Sequence, residues 1–241
     1  MNLMRKGIAC LVALMCTAAL IAQKTVINDP NAEVRNVKGF HGIEVNSAIN
    51  LYLSQADDEA VAVSAKDTKY RDRIKTEIKN GILRIWLEHD VWSLHTGNMQ
   101  LKAYVSFKTI DKLTATGASD ILVDGVINGN NLDLTLSGAS DFKGAVKVND
   151  LNMDQSGASD CTIKGTVTSL KIEASGASNV KGYELVTDNC SVRASGASDI
   201  RISVNKELNA HLSGASSVYY KGDAVIKDLH SSGASNVSRK S

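Results

Sequence analysis

Gly-Ala-Ser occurs seven times between Gly117 and Ser235, starting at Gly117, Gly138, Gly157, Gly176, Gly196, Gly214 and Gly233, at intervals of 21, 19, 19, 20, 18 and 19 residues. A repeat this short cannot bury an apolar face alone and becomes stable only when copies stack. About 19 extended residues trace roughly 60 Å, a closed path of three short strands, whereas helical repeats need about 33 residues or more. The period therefore predicts an all-β parallel β-helix, a solenoid of about 19–20 residues per coil.

Alignment of the copies shows which positions face inward. Each Gly follows a hydroxyl residue (Thr116, Ser137, Ser156, Ser175, Ser195, Ser213, Ser232), and each Ser is followed by Asp120, Asp141, Asp160, Asn179, Asp199, Ser217 or Asn236. The next position is always apolar: Ile121, Phe142, Cys161, Val180, Ile200, Val218, Val237. A second apolar column precedes the Gly (Leu132, Leu151, Leu170, Cys190, Leu208), with partners two residues on such as Leu134 and Ile172. Spacing of two marks strands with one buried side. The seven Gly are read as a structural turn ladder, where positive φ or close backbone approach excludes a side chain. Ala beside them is expected to keep the corner thin, and Ser with Asp, Asn or Ser to accept backbone N–H groups.

Ahead of the repeats, residues 1–22 read as a signal peptide: Arg5 and Lys6, an apolar run from Ile8 to Ile21, and a cleavage point after Ala22. That run is too short to span a bilayer, and no later stretch approaches one, so no membrane span is expected in the mature chain. The segment holds two of the 27 Lys and Arg and none of the 26 Asp and Glu, leaving the remainder near neutral. Such a balance offers no basic excess for nucleic acid. Residues 23–241 are read as one solenoid domain, with 24–115 as the first rung and cap strands and 116–241 as the seven Gly-Ala-Ser rungs. Cys161 and Cys190 fall in different apolar columns and read as buried thiols; a disulfide between rungs is the alternative.

Within 24–115, Ser47-Ala48-Ile49-Asn50-Leu51 aligns with Gly-Ala-Ser-Asp-Ile and reads as a rung that has lost its glycine. Val61-Ala62-Val63 is a further strand, and Lys66 to Arg73 a loop or short helical turn. Strands at Ile74–Ile78 and Ile82–Leu87 flank Asn80-Gly81, a hairpin signal. The hairpin is expected to cover the N-terminal edge of the stack. At the other end no cap is apparent; Arg239 and Lys240 read as charged gatekeepers of that edge, and a homo-oligomer formed through it is the alternative.

No His-Glu-x-x-His, Gly-x-Ser-x-Gly or phosphate-loop motif occurs. Asp120, Asp141 and Asp160 would stand in a row about 4.8 Å apart, a geometry calcium could use. Yet Asn and Ser replace Asp in the same column, and what the three share is a short oxygen acceptor rather than a charge. We therefore expect no enzyme, metal or cofactor. The pattern breaks at residues 86–95, which carry both tryptophans; His89, Asp90, Trp92 and His95 are the candidate ligand-binding residues, for a glycan or a cell-surface protein.

Three blocks of the chain, Phe40 to Leu51, Lys79 to Ile85 and the repeated Ser-Gly-Ala-Ser-Asp rungs, resemble exported Gram-negative proteins described as "putative auto-transporter adhesin, head GIN domain". The resemblance implies a right-handed β-helix in the cell envelope and brings no catalytic residues. Its compartment is left open among periplasm, outer membrane and cell surface. The expected function is a non-enzymatic binding scaffold or adhesin. The alternatives are a carbohydrate-active β-helix enzyme, a polysaccharide lyase or hydrolase, and a purely structural envelope protein.

Overall fold

A computed structural model describes residues 29–88 and 99–241. Its strands, all members of a single hydrogen-bonded sheet, begin with β1 (Glu33–Arg35), β2 (Gly42–Val45), β3 (Asn50–Gln55) and β4 (Ala60–Ser64). After the short helix α1 (Thr68–Arg71) come β5 (Ile74–Lys79), β6 (Ile82–Leu87), β7 (Lys102–Phe107), β8 (Lys112–Ala115), β9 (Asp120–Asn128) and β10 (Asn131–Leu136). The repeats then run as β11 (Asp141–Gln155), β12 (Asp160–Ala174), β13 (Asn179–Ala194), β14 (Asp199–Leu212), β15 (Ser217–Lys221), β16 (Val225–Ser231) and β17 (Asn236–Arg239).

From β8 onward each coil lies parallel on the one before it, in the register that the Gly-Ala-Ser alignment requires: Phe142 faces Ile121 and Cys161, and Leu151 faces Leu132 and Leu170. The protein is a parallel β-solenoid. Alternation of buried and exposed residues breaks at two points of β11, around Ala145-Val146 and at Asn149-Asp150, which divides the coil into three straight stretches. Both sequence-derived apolar columns are interior, with Ile121, Phe142, Cys161, Val180 and Ile200 no more than 1% exposed, except that the last member, Val237, is half-buried. Each side chain therefore meets its counterparts in the coils above and below, and the core is a continuous column.

The Gly-Ala-Ser corner works differently from the sequence reading in two respects. In the inner copies the Ser is buried and the hydroxyl donates, Ser140, Ser159, Ser178, Ser198 and Ser216 each bonding the carbonyl three residues back at 2.7–3.0 Å, whereas Ser119 accepts the Ile49 amide at 3.3 Å as expected. Burying a hydroxyl without a partner is costly, and this carbonyl supplies one. Ala points to solvent, so its size does not set the coil spacing. Its amide instead donates to the preceding Gly carbonyl, for example Ala158 N to Gly138 O at 2.7 Å. The close approach belongs to Gly alone.

Cys161 and Cys190 are free and fully interior, and burial pushes both thiols up, which keeps them protonated and inert.

The N-terminal end departs from sequence order. Ser47 stacks over Gly117 and Leu51 over Ile121, as the degenerate rung required, but this coil is not outermost. The hairpin does form, with φ of 53° at Asn80 and 75° at Gly81. Its second arm β6, however, pairs parallel with β2, and β7 pairs parallel with β3, so β6 and β7 form a further coil outside β2 and β3. The hairpin as a whole is thus not a foreign cap: only β5 on β6, and β4 on β7, run antiparallel, with β1 antiparallel on β4. The physical reason is that β6 and β7 also alternate, burying Leu83, Ile85, Val105 and Phe107, and so extend the core by one coil before the edge is closed.

His41 ties this arrangement together. Its amide donates to Gly81 O at 2.9 Å and its Nδ1 lies 2.8 Å from Asp111 Oδ1, joining hairpin, second coil and third. The Asp111 hydrogen bond and charge hold the imidazole above its ordinary value. A raised folded-state value means that the pair's contribution is whole below about pH 6.5 and fades as pH rises through the shifted value. NMR titration is expected to place His41 above 6.5, and Asp111→Asn to bring it back; an unchanged midpoint in that variant would remove the pairing.

Candidate functional site

The residue directly after the apolar column points outward, and stacking turns it into a strip. In register order it reads Tyr104, Tyr52, Leu122, Lys143, Thr162, Lys181, Arg201 and Tyr219. Tyr52 and Tyr104 stack with ring centroids 5.1 Å apart and 21° between planes. Tyr104 also donates to Asp29 Oδ2 at 2.9 Å, and burial, with that carboxylate, pushes its phenol up.

A groove of about 740 Å³ opens beside the strip. It forms where coil length varies: between Leu122 and Val126 the chain has extra residues relative to Lys143 and Ala145, and Lys181 to Leu185 is longer than Thr162 to Gly165. The unequal Gly-Ala-Ser intervals of 21 and 20 are absorbed here, as bulges that lift the backbone from the stack. Leu122, Val126 and Ile163 give the groove an apolar floor, and Leu122 and Val126 are 36% and 41% exposed. Lys143, Lys164, Lys181, Arg201 and Tyr183 stand along it, with Glu184 the acidic residue among its lining.

The ladder two residues earlier tempers this charge. Lys181 reaches Asp160 at 3.4 Å and Arg201 reaches Asp199 at 3.2 Å, whereas Lys143 and Lys164 have no ion pair among the described residues. The ladder's own oxygens serve the stack: Asp160 N donates to Asp141 Oδ1 at 3.3 Å, and Asn179 Nδ2 to Asp160 Oδ1 at 2.7 Å. Asp120 is pushed upward first by burial and then by the charge of Asp141. The seven Gly of the turn ladder lie on the corner beside it, at φ between 73° and 81°.

His89, Asp90, Trp92 and His95 lie outside the described residues. The structure's own candidate, the Lys/Arg/Tyr groove, went unseen in the sequence because the alignment of copies stopped at the apolar column. One position further, Lys143, Lys181, Arg201 and Tyr219 would have signalled it.

These features define a parallel β-solenoid with a patterned outer face and a solvent-open groove. The chain belongs to the family described as "putative auto-transporter adhesin, head GIN domain", whose model matches residues 39–224. Solved structures share the fold. A protein from Bacteroides fragilis described as a putative adhesin matches with a TM-score of 0.79 at 19% identity, over 87% of this chain and 96% of that one. One from Parabacteroides merdae, also described as a putative adhesin, matches with a TM-score of 0.67 at 12% identity, over 88% and 96%. A third, from Parabacteroides distasonis and described as a putative lipid binding protein, matches with a TM-score of 0.64 at 17% identity, over 88% and 98%. No functionally curated protein matches the chain.

Proposed function

We propose that this is a non-enzymatic, exported protein of the cell envelope that binds an acidic saccharide chain in the groove along β9 to β14. The observation carrying this reading is the pair of unneutralised cations, Lys143 and Lys164, standing with Tyr183 over an apolar floor. Tyrosine rings offer flat apolar faces to sugar C–H groups, and ammonium groups pair with carboxylate or sulfate. Because the cations ride on stacked strands about 4.8 Å apart, their spacing is set by the backbone and little ordering is needed on binding. Membership of an adhesin-described family supports export and binding.

In calorimetric titration with polyuronates and sulfated glycans, the double variant Lys143→Ala/Lys164→Ala is expected to bind at least about tenfold more weakly, roughly 1.4 kcal/mol. Wild-type affinity should fall as salt rises. The exposed Leu122 and Val126 favour a second reading, a lipid with an anionic headgroup. Vesicles of anionic phospholipid in the same titration separate the two, and binding to vesicles alone would replace the saccharide reading.

A further inference from the structure

The outer face near the last coils carries a second constellation, unrelated to the groove. His211 of β14 stands opposite His230 of β16, their rings stacked with centroids 4.6 Å apart and 19° between planes. Asp228, two residues before His230, reaches both: Oδ2 lies 2.9 Å from His211 Nε2, and Oδ1 lies 3.0 Å from His230 Nδ1. Among the described residues this is the one group of three His, Cys, Asp or Glu side chains whose ligand atoms all fall within 4.8 Å of one another.

A register shift creates the cluster. Leu208 pairs with Ile226, but Asn209 pairs with Asp228, so Lys227 is an extra residue in the last coil. Without that bulge, Asp228 would stand opposite Ala210 on the inward side, because a one-residue slip exchanges the two faces of a strand. With it, Asp228 and His230 project outward beside Asn209 and His211. The nearby cations are drawn elsewhere, Arg193 toward Glu173 at 3.9 Å and Lys227 toward Glu207 at 3.6 Å.

We propose that His211, Asp228 and His230 bind a divalent transition-metal ion of the Zn²⁺ class, clasping the last coil to the one before it. Two imidazoles and one carboxylate are a borderline donor set that suits Zn²⁺ and disfavours Ca²⁺ and Mg²⁺, which prefer all-oxygen sites. Ligand bonds of about 2.0–2.2 Å in a tetrahedron need donor atoms roughly 3.3–3.6 Å apart; the two Asp–His separations are slightly shorter than this, and the stacked imidazoles, whose lone pairs run nearly parallel, must turn toward a common point to reach the ion together. The three side chains are part-exposed, which leaves a fourth position open to water or a further ligand. Since the ligands come from neighbouring strands, binding favours the paired state of both.

The test is calorimetric titration of the tag-free protein with ZnCl₂, paired with hydrogen exchange. One ion per chain is expected, with affinity at least about tenfold lower in Asp228→Asn and at least about a hundredfold lower in His211→Ala/His230→Ala. Zn²⁺ should slow exchange of amides 225–231 in the wild type and not in the double variant. Metal-free exchange elsewhere in the chain reports whether the double variant folds, and the milder Asp228→Asn carries the test if it does not. Absence of binding at 1 mM ZnCl₂, unchanged affinity in both variants, or loss of binding on His89→Ala/His95→Ala instead would overturn the assignment.

Discussion

Gly157→Ala is expected to destabilise the protein by about 2–5 kcal/mol, while Gly117→Ala, at the same point of an earlier coil, costs only about 1–2 kcal/mol. Both glycines have positive φ, 77° and 81°, so the conformational penalty on an L-residue is shared. What differs is the neighbour. A Cβ on Gly157 would fall well inside contact distance of the Gly138 carbonyl oxygen, whereas a Cβ on Gly117 would meet Ser47 N at 3.5 Å, an ordinary contact. The chain itself performs the control: Ser47 occupies this corner at φ 68°, so a side chain is accepted where the stack leaves room. Urea unfolding of the two variants decides the matter. Equal shifts in midpoint would mean that φ alone, and not the close passage of coils, selects glycine.

Gln155→Leu is expected to raise stability by about 1–3 kcal/mol. Gln155 is fully buried, and neither its amide nitrogen nor its amide oxygen has a hydrogen-bond partner among the described residues. Its column reads Leu136, Gln155, Ala174, Ala194 and Leu212 in register, so leucine already occupies equivalent positions in two other coils. The side chains are of similar volume, and the small alanines beyond Gln155 leave space for a branched group. The same urea titration measures it. A lowered midpoint would show that the buried amide is hydrogen-bonded in solution and that its partner is lost with the substitution.

Much of this fold was legible before any coordinates. The apolar column through Ile121, Phe142 and Cys161, the hairpin at Asn80-Gly81 and the match of Ser47 to Gly117 all follow from local rules. They rest on alternation, turn chemistry and the near-constant interval, and each of those acts over a few residues or one repeat. The order of the first coils was not legible. Nothing local in β6 says that its partner is β2 rather than solvent, since a strand edge is satisfied by any neighbour with free N–H and C=O groups and a matching apolar face. The role of the buried Ser escaped for a related reason: a hydroxyl both donates and accepts, and only its burial beside the Ser137-type carbonyl selects donation.

The candidate sites divide the same way. Lys143, Lys181 and Arg201 follow the apolar column at a constant offset and could be read by comparing copies, but the groove beside them depends on where unequal coil lengths are absorbed. His211, Asp228 and His230 come together only because Lys227 bulges out of the ladder; without it Leu229 would stand opposite His211. By itself the sequence determined the coil, its period and its inward face, because a repeat acts on its own neighbours and every copy states the same rule. Tertiary structure alone decided which coil lies outermost, where the groove opens and which side chains meet across coils. Those outcomes turn on single departures from the repeat, whose effect is felt only when the next coil is laid against them.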